Sequence, residues 1–130
     1  MQRVYLDGYP ENAVAETREG GTQYFFNLND AINTSALTGY EIYLRKNIDV
    51  TYAIEVPEEA NIVINLEGKY ISTGNTITNN GTLKIYDPSE EKGYISIGNT
   101  ITNNGTLLID EINITETDTT ANLIESTGSL

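Results

Sequence analysis

Residues 70–87 (YISTGNTITNNGTLKIYD) and 94–111 (YISIGNTITNNGTLLIDE) agree at fourteen of eighteen positions, at an offset of 24. A repeat of that period is too short for a domain and too long for a hairpin. It predicts one turn of a solenoid, a unit that buries its apolar face only by lying on a copy of itself.

Within each repeat, residues 75–79 and 82–86 alternate polar and apolar side chains, the pattern of half-buried strands. Asn80-Gly81 and Asn104-Gly105 are read as turns that use residues tolerant of positive φ. In a parallel coil, successive copies lie about 4.8 Å apart. Ile77 then falls under Ile101, Leu83 under Leu107 and Ile85 under Ile109. Thr76, Thr78 and Asn79 are expected outward or at the corner, under Thr100, Thr102 and Asn103. An Asn-Gly pair between alternating strands is also a strong hairpin signal, so an antiparallel meander is the rival fold. The register extends past the two clear copies, because Ile54, Ile77, Ile101 and Ile124 follow one another at intervals of 23, 24 and 23.

The chain divides into a leader (1–21), a strand with a capping helix (22–39) and a coil of about four rungs (40–130). The leader holds a strand candidate at 3–6 and a possible helical turn at 13–18, ended by Gly20-Gly21. In the second segment, Asn27 is placed to cap a helix whose apolar face is Leu28, Ala31, Ile32 and Ser35 or Ala36. Such a helix covers the open end of a solenoid core and its unpaired strand edge. Residues 56–61 (VPEEAN) take the place of the Asn-Asn-Gly turn with a longer loop. Residues 121–130 align with 98–107, so the sequence ends inside a rung. Further repeats, a partner protein or a second copy of the chain are expected to cover that edge.

Seven Lys and Arg against nineteen Asp and Glu give a formal charge of −12. That field repels phosphate backbones and anionic headgroups, so neither nucleic-acid binding nor membrane insertion is expected. The absence of cysteine excludes disulfides and thiolate metal sites. No apolar run reaches the length of a membrane span, and residues 1–21 lack the apolar stretch of a secretory signal.

The pattern I-T-N-N-G-T-L-x-I at 77–85 and 101–109, with L-N-D-A-I-N at 28–33 and I-Y-L-R-K-N-I at 42–48, resembles the right-handed parallel β-helix repeats of bacterial surface and adhesin-like proteins. It is also similar to segments of phage tail spikes and of pectate-lyase-like enzymes. The resemblance covers 22–130. It implies an all-β, right-handed parallel β-helix with a short N-terminal capping helix. It does not imply an activity, because fold does not determine function.

Lyases of that fold carry acidic calcium ligands, and Asp87 and Glu111 share a place in successive rungs here. A calcium ion takes roughly six to eight oxygens, and no loop of the D-x-[DN]-x-[DN]-G form supplies the remainder, so solvated corner carboxylates are the competing reading. Without His or Cys the commonest general base and the thiol nucleophile are missing, and no enzymatic activity is expected. Tyr70, Tyr94 and Tyr86 are the candidate ligand-binding residues, forming a flat strip for sugar rings. A cross-strand aromatic ladder that needs no ligand explains them equally well. The expectation is therefore a non-enzymatic structural or adhesive module on a bacterial surface, outside the cell, that contacts a protein or glycan. A phage virion component is the first alternative and a fragment of a polysaccharide lyase or hydrolase the second.

Overall fold

The computed structural model describes residues 10–110, 113–116 and 124–126, with side-chain environments for 11–110. A 3-10 turn (Pro10–Asn12) leads into β1 (Ala15–Thr17), β2 (Gln23–Phe25) and α1 (Leu28–Thr38). Strands then follow in threes: β3 (Ile42–Leu44), β4 (Ile48–Val50) and β5 (Ile54–Val56), then β6 (Asn61–Asn65), β7 (Tyr70–Thr73) and β8 (Ile77–Asn79). The next set is β9 (Thr82–Tyr86), β10 (Tyr94–Ile97) and β11 (Ile101–Asn103), continued by β12 (Thr106–Asp110), β13 (Asn113–Glu116) and β14 (Ile124–Ser126).

Every third strand joins the same sheet. Sheet A runs β12-β9-β6-β3-β1-β2, sheet B β13-β10-β7-β4 and sheet C β14-β11-β8-β5. The pairing from β3 onward is parallel, so the chain is a β-solenoid. It makes about three full turns between β3 and β12, where about four rungs were expected. The hairpin alternative fails because β8 and β9, on either side of Asn80-Gly81, belong to different sheets.

The register is the one the repeat requires. Ile54 pairs with Ile77, Ile77 with Ile101, and Ile101 with Ile124. Leu83 pairs with Leu107 and Ile85 with Ile109. Up to Ile109 these columns, with Ile42–Ile64–Ile85 and Ile48–Ile71–Ile95, fill the interior. Each buried aliphatic side chain contributes roughly 1.5–3 kcal/mol of transfer free energy.

Helix α1 closes one end. The Asn27 side chain accepts the Asp30 amide at 2.8 Å, and Gly39, at φ 77°, ends the helix by donating its amide to Ser35 O at 2.7 Å. Leu28, Ala31, Ile32 and Ser35 face the core as expected. The Tyr52 hydroxyl accepts the Leu28 amide at 2.7 Å, so this tyrosine ties the cap to the first turn and is no part of an outer strip.

Residues 13–18 are not a helical turn. They contain β1, which pairs antiparallel with both β2 and β3. Ala13 and Ala15 are fully enclosed, and pairing on both edges satisfies backbone groups that one isolated helical turn leaves open. The strand candidate at 3–6, Glu111 and the terminal Leu130 lie outside the described residues.

Candidate functional site

The solenoid has three corners, and their construction decides which side chains the surface offers. Between sheets B and C the corners among the described residues have three residues each: 51–53, 74–76 and 98–100. Between C and A the corner shortens from four residues (57–60) to two (80–81 and 104–105). Between A and B it lengthens from three (45–47) to four (66–69) to seven (87–93).

The short C-to-A corner is a stack of identical parts. Asn79 and Asn103, expected outward or at the corner, have no exposed surface. The Asn79 amide donates to Asn103 Oδ1 at 2.9 Å and to Thr106 O at 2.8 Å, while its own oxygen accepts the Gly81 amide at 3.2 Å. A buried primary amide survives because its donors and acceptor are met by the rung above and by its own turn. Gly81 and Gly105 do not take positive φ. They are needed for another reason: a Cβ on Gly105 would stand 1.9 Å from Gly81 O, and one on Gly81 2.4 Å from Pro57 O. Close approach between rungs selects glycine here.

The A-to-B corner is held by Asp87, which is fully buried. Its carboxylate accepts the amides of Gly68 at 3.0 Å, Ser89 at 2.9 Å and Gly93 at 2.6 Å, and also the Ser89 hydroxyl. Burial opposes the charge, but the bonds from Ser89, Gly93 and Gly68 outweigh it and hold the carboxyl below the usual aspartate range. Asp87 therefore organises backbone and presents no free oxygen edge comparable to that of a solvated carboxylate. Among the described residues no three acidic side chains gather as a cation shell would require.

The three candidate tyrosines separate into two settings. Tyr70 and Tyr94 pair in register on the outside of sheet B, with ring centroids 5.1 Å apart and planes inclined by 19°. Tyr94 is 41% exposed, and the Tyr70 hydroxyl lies 3.5 Å from Asp49, whose charge raises the phenol above its ordinary range. Tyr86 is on sheet A. Its hydroxyl donates to Glu41 at 2.6 Å, and that bond, with partial burial, pushes its pKa up to about 12. Lys84 sits 4.6 Å above its ring. Tyr86 is thus a strut between turns, and the expected flat strip is reduced to Tyr70 and Tyr94, stacked ring on ring.

A second polar group, on the outside of sheet A, was not foreseen. Glu16 of β1 receives Arg18 at 2.8 Å and Arg45 at 2.6 Å, and Arg18 also reaches Glu67 at 3.2 Å. Burial works against the Glu16 charge, and the two guanidinium groups reverse that and lower its pKa. Arg18 lies 3.8 Å over the Tyr43 ring and Arg45 4.7 Å over that of Tyr24. Through its bond to Glu16, Arg45 ties the first turn of the coil to β1. No sequence signal links residues 16, 18 and 45, because their meeting depends on the antiparallel β1.

Comparison with known proteins finds no matching family model, no matching curated protein and no matching solved structure.

Proposed function

We propose that this chain is a non-enzymatic structural and adhesive module of a bacterial surface protein, working outside the cell by displaying side chains in register on a stiff coil. The observation that carries this reading is the Tyr70–Tyr94 pair: two phenols stacked with nearly parallel rings, fixed by parallel strand pairing, on an outward sheet face. Tyrosine offers an apolar ring and a polar tip, which suits the alternating apolar and hydroxylated faces of a sugar. Ser72 and Ser96 continue the same face one step along β7 and β10 and add hydroxyls beside the rings. Strands β12, β13 and β14 are the last of their sheets among the described residues, and further repeats or a partner strand continue them in this reading.

The test is an oligosaccharide array read with the full chain and with a Tyr70→Ala/Tyr94→Ala variant. Binding to at least one glycan by the parent and its loss in the variant supports display through this pair. A parent that binds no glycan, or a variant that binds as the parent does, removes the adhesive role from these residues.

A further inference from the structure

The chain has only seven Lys and Arg, and four of them, Arg18, Arg45, Lys46 and Lys69, line one groove of about 400 Å³ where the cap meets the A-to-B corner. The register makes the arrangement less expected still. Since Ile48 pairs with Ile71, Lys46 and Lys69 occupy the same place in successive rungs, and the Tyr70 amide bonded to Asn47 Oδ1 at 3.0 Å fixes that alignment. Equivalent lysines in consecutive corners raise the local positive potential. Neither ammonium has an acidic partner within salt-bridge distance among the described residues, in a molecule with nineteen carboxylates.

The acidic residues of the groove do not relieve the pair. Glu16 is held by both arginines and Glu67 by Arg18. Glu11 makes no ion pair among the described residues. Four cations face three carboxylates, so the groove is short of one negative charge while the molecule as a whole is strongly negative.

We propose that this groove binds one carboxylate group, seated between Lys46 and Lys69 with the Arg18 and Arg45 guanidinium groups fixed behind it. A single negative charge matches the local deficit. A dianion such as sulfate or phosphate doubles the attraction to the groove cations but also doubles the repulsion from the remaining acidic surface, and it costs more to desolvate. The site is separate from the Tyr70–Tyr94 face and does not depend on its binding a sugar.

The test is a titration of the full chain with sodium acetate, ionic strength held constant with chloride, following the lysine side-chain resonances by NMR. Saturable shifts confined to Lys46 and Lys69 are expected, with affinity reduced about tenfold or more in Lys46→Gln/Lys69→Gln and unchanged in Lys84→Gln. The double variant should also no longer gain stability when acetate is added. A linear response equal to that of chloride overturns the site, as does a double variant that binds like the parent. Sulfate or phosphate binding more tightly than acetate overturns the assignment to a carboxylate.

Discussion

The C-to-A and A-to-B corners of the same coil solve one problem in opposite ways. At the first, Asn79, Asn80 and Gly81 lie under Asn103, Asn104 and Gly105, and two side-chain bonds, Asn79 to Asn103 and Asn104 to Asn80, join a residue to its own copy. At the second, Asp87 gathers amides from positions 68, 89 and 93, which come from two different turns and follow no fixed spacing. Repetition lets a corner be short; a buried charge lets it change length from turn to turn.

The largest break in this comparison comes from the backbone contacts. Gly105→Ala places a methyl 1.9 Å from Gly81 O, and Gly93→Ala places one 1.7 Å from Lys69 O. Each is expected to cost about 4 kcal/mol or more in urea unfolding. Gly74→Ala, at the B-to-C corner with nothing within 4 Å, should stay within about 0.5 kcal/mol. Equal effects at all three positions would deny that inter-rung approach selects these glycines.

Asp87→Ala comes next, at about 3 kcal/mol, since it strands amides that now bond a charged acceptor. The folded-state pKa lies below the unfolded value near ~4. Its contribution is therefore complete above that pH and disappears as the pH falls through the lower folded value. Urea midpoints of parent and variant should converge as the solution is acidified.

Asn79→Val is expected to cost about 1–3 kcal/mol by leaving the Gly81 amide and Thr106 carbonyl without partners. Valine is native at the equivalent place in the first turn, where Val56 pairs with Asn79, but the corner there has four residues. A silent Asn79→Val would show that the amide ladder is not what permits a two-residue corner.

Among the side-chain bonds the smallest effect belongs to Tyr86→Phe, about 1 kcal/mol at neutral pH for the lost bond to Glu41. The phenol is raised to about 12 in the fold, and an unfolded tyrosine ionises near ~10. The stabilisation is full below the lower value and is lost as the pH climbs to the higher one. Phenolate absorbance should show one tyrosine ionising late in the parent and none so late in the variant.

The difference between the corners also explains what could be read from sequence. Ile77 over Ile101 and Leu83 over Leu107 were legible because a residue's neighbour is its own copy, at a fixed offset. Asn27 and the apolar positions of α1 were legible because capping and helical period are local. Asn79 was misplaced because a buried amide looks polar until its three partners are assembled. Asp87 looked like a metal ligand for the same reason, although the Asp-Pro-Ser run at 87–89 carries the signal of a side chain bonding its own turn. The Glu16 cluster was hidden because it joins residues 29 positions apart through a strand taken for a helical turn.

A layer that bonds to its duplicate has the same interface above and below. Misaligned recombination between the two DNA segments encoding residues 70–93 and the following unit would add or delete one whole storey, about 4.8 Å in height, with every contact already provided for. Length would then change in steps of 24 residues, the offset of the repeat.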